Sequence, residues 1–240
     1  MIGDDSFDSN PDWLLLEDGP LLAVNKPVGY LTEGPVTGPP CIVNDTKAWL
    51  AKKYDKPGNV YLGIPHRLDR ATSGVLVFGR NSKVSRRLSE QFLERTVTKK
   101  YLAILETPPE PTSGLLVDWL RKDREKAISE VVSADAEGAK EARLEFQTHG
   151  AVNGGTLVEV TLITGRMHQI RVQFASRGWP VLGDSKYGGI KWHPETAATL
   201  PAERIALHAR SLTLKHPIRY DELTIEAPVP EHWPVLDSSG

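Results

Sequence analysis

The stretch from His66 to Arg80, H-R-L-D-R-A-T-S-G-V-L-V-F-G-R, sets a single carboxylate, Asp69, between Arg67 and Arg70, just ahead of a Thr-Ser-Gly turn. The apolar run that follows, Val75 to Phe78, is continuous and bounded by Gly74 and Gly79, which predicts a strand buried on both faces. Two flanking cations favour the ionised form of Asp69, and an ionised carboxylate can serve as a nucleophile or a base. On the tetrapeptide alone an ordinary surface ion pair is the better reading, and such pairs contribute little. The rest of the chain decides between the two.

Downstream, Asn81 or Ser82 can cap a helix to about Arg95. Val84, Leu88 and Phe92 repeat every four residues along its apolar face, with Lys83, Arg86, Arg87 and Glu90 elsewhere. Thr96 to Leu105 is rich in β-branched and aromatic residues and predicts a strand. Alternation puts Lys99, Tyr101 and Ala103 on one face and Lys100, Leu102 and Ile104 on the other. Upstream, residues 21–27 read as a short strand stopped by Pro27, and residues 31–41 as a loop.

Residues 114–147 carry mixed charge and short strand-like pieces. Asn153-Gly154-Gly155 predicts a turn into a strand over 156–163. Thr164-Gly165-Arg166 then leads into a predicted helix over 167–177 with Gly178 as its stop, and further strands are expected at 205–214 and 222–227. Strands outnumber helices and do not alternate strictly with them. The predicted class is therefore α+β, with a mixed, largely antiparallel central sheet flanked by helices and loops.

At 240 residues the chain can bury a substantial core. Residues 1–12 read as a disordered acidic tail and residues 13–240 as a single domain. One cysteine, Cys41, excludes an intrachain disulfide and a Cys-based zinc framework. The first residues lack the positive charge and apolar run of a secretory signal, and no apolar run approaches the roughly 20 residues that span a bilayer, so a cytoplasmic protein without a membrane role is expected. The net charge of -2 argues against a uniformly basic nucleic-acid coat. Contact with phosphates then requires the basic residues to gather locally, and Lys83, Arg86, Arg87, Arg95, Lys99 and Lys100 lie close in sequence.

The segment from His66 to Arg80 closely resembles the signature of the RluA-type pseudouridine synthases, which isomerise uridine in RNA. The resemblance continues through A-V-N-K-P-V-G (residues 23–29), K-K-Y-L-A-I-L (residues 99–105), T-G-R-M-H-Q-I-R (residues 164–171) with its following G-D-S-K-Y-G (residues 183–188), and L-H-A-R-S-L-T-L-K-H-P (residues 207–217). These blocks stand in the family's order and cover nearly the whole chain. Met167 stands where the family more often has threonine, and the chain resembles the shorter members, without an N-terminal S4-type RNA-binding domain.

The resemblance implies the pseudouridine synthase fold, with an active-site cleft across the sheet, and an isomerase that acts on rRNA or tRNA. It implies Asp69 as the catalytic carboxylate, Arg166 as the cation that pairs with it, and Tyr101 as the aromatic that packs on the target base. Arg67 would fill the space left by a flipped uridine, where a planar guanidinium can stack and hydrogen-bond. His66, Arg70, Lys99, His168 and Arg171 complete the expected RNA contacts. No cofactor and no metal are implied, and no obligate protein partner; a monomer is expected. The chemistry agrees: the C1′–N1 bond breaks, a C1′–C5 bond forms, and nothing is oxidised or hydrolysed. A glycoside hydrolase would need a second, spaced carboxylate, and a pure RNA binder would not need Asp69, Tyr101 and Arg166 together.

Overall fold

The computed structural model describes residues 11–190, 204–231 and 233. Of the expected acidic tail, only Pro11 and Asp12 fall within them. Among the described residues the chain runs β1 (Leu14–Asp18), β2 (Leu21–Lys26), α1 (Ile42–Lys53), β3 (Ser73–Gly79), α2 (Ser82–Leu93), β4 (Thr98–Leu105), β5 (Ser113–Asp123), β6 (Ile128–Val132), β7 (Lys140–Val152), β8 (Gly155–Leu162), α3 (Gln169–Ala175), β9 (Leu207–Lys215) and β10 (Glu222–Glu226). All ten strands join one sheet in the order β1-β2-β3-β9-β4-β8-β7-β5-β6, with β10 pairing β9. Only β3 and β9 pair in parallel; every other pairing is antiparallel. The class is α+β, as the element pattern predicts, with a mixed, largely antiparallel sheet.

Local sequence explains the clearest elements. β3 is buried along its whole length because both sheet faces are covered. Leu76 and Phe78 join the larger core with Tyr101, Trp49 and Phe174, while Val75 and Val77 join a second core with Val84 and Leu88 of α2. Asn81 caps α2, its side chain accepting from the Val84 N–H at 2.9 Å. Asn153 and Gly154 form the two-residue turn between β7 and β8, where Val152 faces Gly155 and Gly154 takes a φ of +92°.

Three expectations need correction. The mixed-charge region is not a set of short pieces: β5 and β7 span 11 and 13 residues and form a continuous antiparallel wing with β6. The helix expected from Met167 begins at Gln169, because His168 adopts the left-handed conformation with a φ of +54°. The α2 cations do not stand on the Tyr101 side of the sheet. α2 covers the sheet face opposite Tyr101, since its core residues pack with Val75 and Val77 rather than with Leu76 and Phe78. Lys100 pairs with Glu159, and Arg87 donates to the Pro217 carbonyl. Among the described residues, no helix is long and apolar enough to cross a membrane.

Candidate active site

Asp69 lies where the sheet divides. Ser73 and Gly74 pair with His208 and Ala209 of β9, and the two strands then part. Gly74 makes the close approach possible: at its φ of +114° an added Cβ would stand 2.2 Å from the Ala209 carbonyl oxygen. Beyond the fork, the free edge of β3 is taken by the segment that precedes Asp69. Gly63 and Gly79 exchange backbone hydrogen bonds of 2.8 and 3.0 Å, and the Val77 N–H donates to His66 Nε2 at 3.1 Å.

The backbone on either side of Asp69 is held from the β2–α1 connection. Thr32 Oγ1 donates to the Leu68 carbonyl at 2.9 Å and accepts from the Leu68 N–H at 3.1 Å. The Gly29 N–H donates to the Arg70 carbonyl, and Arg70 Nε returns a bond to the Gly29 carbonyl. Lys26, fully buried at the end of β2, donates from Nζ to the carbonyls of Pro27, Tyr30 and Arg70 at 2.9, 2.8 and 3.4 Å. Three acceptors match the three hydrogens of an ammonium. Burial nevertheless pushes this lysine down to about 7, with the Asp69 carboxylate pulling in the opposite direction.

The side chains facing Asp69 come from the start of α3. Arg171 Nη1 is 3.6 Å and His168 Nε2 3.8 Å from Asp69 Oδ2. Arg171 is itself clamped by a buried bidentate pair to Asp184, with bonds of 2.6 and 2.8 Å. Its guanidinium lies 5.1 Å from the centre of the Tyr187 ring. Tyr101 is buried in the main core. Desolvation, and then the nearby Asp69 charge, raise its hydroxyl well above the ordinary tyrosine range. A phenol in that state is a poor proton acceptor, which leaves packing as its contribution.

Arg166 does not pair with Asp69. Its Nε donates to the Glu141 carbonyl at 2.9 Å, and its backbone N–H donates to Gln169 Oε1 at 3.0 Å. Gln169 also accepts from Thr164 Oγ1 and donates to the Arg143 carbonyl. These bonds fold residues 164–169 into a turn that directs Arg166 toward β7 and brings Arg171 inward. Arg171, expected among the RNA contacts, therefore occupies the place expected for Arg166.

Of the other expected RNA contacts, Arg67 and Arg70 are exposed and Lys99 is half-buried. Burial and the neighbouring Arg95 lower the Lys99 ammonium. His66 stacks on Phe92 with ring centres 4.3 Å apart. Desolvation, and then Lys99, push it to about 3, so it is neutral with Nε2 already bonded to the β3 backbone. The sequence reading assigned no role to Lys26, Thr32, Asp184 or Tyr187. Lys26, Asp184 and Tyr187 lie inside the blocks that carry the family resemblance, and a lysine in the last position of an apolar strand is the one local signal of a buried cation.

A fork in a ten-stranded sheet, a half-buried carboxylate at its base and a clamped arginine opposite define a site for single-carboxylate chemistry. Residues 20–176 match the family described as RNA pseudouridylate synthase. The RNA pseudouridine synthase YlyB of Bacillus subtilis, itself described as uncharacterised, is 34% identical over 218 residues, which cover 90% of this chain and 68% of the relative. The dual-specificity RNA pseudouridine synthase RluA of Escherichia coli K12 is 33% identical over 228 residues, covering 90% and 93%. Human RNA Pseudouridylate Synthase Domain Containing 4 superposes with a TM-score of 0.72 at 26% identity, covering 91% of this chain and 88% of the human one. The chain belongs to the RNA pseudouridylate synthase family and is of RluA type.

Proposed function

We propose that this enzyme isomerises specific uridines of rRNA or tRNA to pseudouridine, with Asp69 as the catalytic carboxylate. The observation that carries the reading is the setting of Asp69: its side chain keeps 32% of its exposure while Arg171, at 7%, stands 3.6 Å from one of its oxygens. A reactive group left accessible beside a preorganised cation suits a reaction that develops charge on the sugar or the base. No water is consumed, so a second carboxylate is not required. Asp184 does not supply one, since both its oxygens bond Arg171.

The target uridine must leave its stack to reach Asp69, at a cost of a few kcal/mol. Tyr101 then packs against the base, and the exposed Arg67, two residues before Asp69, fills the vacated space. Arg171 takes the pairing role that the resemblance gave to Arg166. Relatives named as a ribosomal large subunit pseudouridine synthase and as a tRNA pseudouridine synthase support rRNA and tRNA as the substrates to examine first. The same reading has the enzyme act as a cytoplasmic monomer.

Pseudouridine maps of cellular RNA from wild-type, deletion and Asp69→Asn strains test the proposal. Sites absent from both altered strains are expected, and they identify the substrate. Sites that vanish on deletion but persist in Asp69→Asn overturn the role of Asp69. No lost site in either strain favours an RNA-binding protein on the same scaffold.

A further inference from the structure

Both cationic or donor groups that approach Asp69 meet the same oxygen. Arg171 Nη1 and His168 Nε2 make their closest approach at Oδ2, at 3.6 and 3.8 Å, and among the described residues no hydrogen bond reaches Oδ1. The two oxygens therefore have different surroundings before substrate arrives. Oδ2 is the held edge and Oδ1 the open one.

The proton on His168 is set from behind. Tyr187 Oη accepts the Ser129 N–H at 2.7 Å and lies 2.9 Å from His168 Nδ1. The acceptor-only carboxylate of Asp69 faces Nε2, which favours the hydrogen there and leaves Nδ1 to accept the phenolic hydrogen. Nδ1 then accepts, and the single hydrogen of a neutral imidazole sits on Nε2, facing Asp69. Charges around the ring oppose one another: Asp69 and Asp184 favour the imidazolium, Arg171 and Lys186 disfavour it, and burial is the largest influence and keeps the ring neutral. Ser129 is fixed in turn, its Oγ donating to the Met167 carbonyl at 2.6 Å. The chain that sets the tautomer thus returns to the residue before His168.

We propose that His168 and Tyr187 form a positioning pair in which the Tyr187 hydroxyl selects the Nε2–H tautomer of His168, and that hydrogen holds the Oδ2 edge of Asp69, leaving Oδ1 to react. The proposal rests on Asp69 being the catalytic carboxylate. At 3.8 Å the contact is longer than a hydrogen bond, and contacts of this kind commonly tighten once substrate is bound. No proton leaves His168 in the cycle. The proton lost from uracil C5 and the one gained at N1 balance without it.

Two properties of His168 can be separated by substitution. Its left-handed backbone is easiest for glycine and next easiest for asparagine, whereas its Nε2–H is best imitated by the longer amide of glutamine. If only the backbone matters, His168→Asn and His168→Gly stay active and His168→Gln suffers. The pair predicts the reverse order. Total RNA from the deletion strain, labelled with tritium at uridine C5, provides the assay, because every turnover releases that hydrogen.

His168→Gln is expected to stay within a few-fold of wild type, with His168→Asn and His168→Gly down by about tenfold to a hundredfold in kcat, the range for a group that acts through another. Tyr187→Phe should fall into the same range, and adding it to His168→Gln should cost little more, since an amide has no tautomer to select. Asparagine or glycine matching or exceeding glutamine overturns the proposal, as does a fully active Tyr187→Phe. Asp69→Asn runs alongside: an active Asp69→Asn overturns the reading of Asp69 itself, whereas an inactive one with the wrong order at His168 overturns only the pair. Urea unfolding of each variant identifies any loss that comes from failure to fold.

Discussion

Two segments meet at Asp69 and are held in different ways. Residues 67–72 are fixed mainly through their backbone: Thr32, Gly29 and Lys26 bond the peptide groups of Leu68 and Arg70, Arg70 adds one side-chain bond to Gly29, and the side chain of Arg67 stays exposed. Residues 164–171 are fixed through their side chains, with Gln169 bonding its own turn, Arg171 clamped by Asp184 and His168 held by Tyr187. One segment carries the reacting group and the other its surroundings. The carboxylate can then remain without a short bond of its own, because its position comes from its backbone and its environment from neighbours already satisfied elsewhere. Such preorganisation lets a site stabilise developing charge without rearranging.

The side-chain anchor should be the easier to break. Asp184→Asn keeps the shape but leaves the buried Arg171 without its bidentate counter-charge and with only the more distant Asp69, and removing one partner of a buried pair typically costs about 3–5 kcal/mol. Urea unfolding should register that loss, and activity should fall with it as Arg171 is released. A loss under about 1 kcal/mol would mean that the pair behaves like an exposed one and that the clamp is not what holds Arg171.

The backbone anchor should give a smaller effect with a pH signature. On folding, Lys26 falls from 10.5 to about 7, because burial outweighs the pull of Asp69. Between those values the unfolded chain binds more protons than the folded one, so this lysine makes stability rise with pH from about 7 toward 10 and penalises the folded state below. Lys26→Met should flatten that rise. It also leaves three carbonyls without their donor, for a loss of about 1–3 kcal/mol. Unfolding midpoints at pH 7 and pH 9 check both statements, and an unchanged slope in Lys26→Met would remove Lys26 as its source.

How far the two segments can be read from sequence follows the same division. β3, β4 and the cap of α2 are legible because burial on two faces, period-two alternation and an Asn cap are local signals. Asp69 and Tyr101 are singled out by the family resemblance, since locally one fits an ordinary ion pair and the other a core tyrosine. α1 is not, since Cys41 at its N-cap makes no side-chain capping bond and Thr46 interrupts the apolar face of Ile42, Trp49 and Leu50. The choice between Arg166 and Arg171 depends on where α3 begins. A helix from Met167 puts Arg166 at its dipole end, where a cation calls for a carboxylate, but the left-handed turn at His168 moves the start to Gln169. That conformation is set by long-range bonds of Gln169 and Tyr187, to which a local pattern is blind.

Arg166 therefore provides the smallest and most discriminating test of the comparison. Its only side-chain hydrogen bond among the described residues is to the Glu141 carbonyl, so Arg166→Ala should cost about 0.5–1.5 kcal/mol of stability. Because this side chain anchors neither Asp69 nor a neighbour of Asp69, kcat should change by only a few-fold. Arg171→Lys is the contrasting substitution: it keeps the charge but loses the planar fork that engages Asp184, and a misplacement of about 1 Å at a reacting group can cost about a hundredfold. Measured together on tritium-labelled RNA, the two should differ by at least about tenfold in kcat, with Arg171→Lys the weaker. Equal losses, or a larger one at Arg166, would mean that the turn opens when RNA binds and that Arg166 swings from β7 to the carboxylate, making the side-chain segment the mobile one.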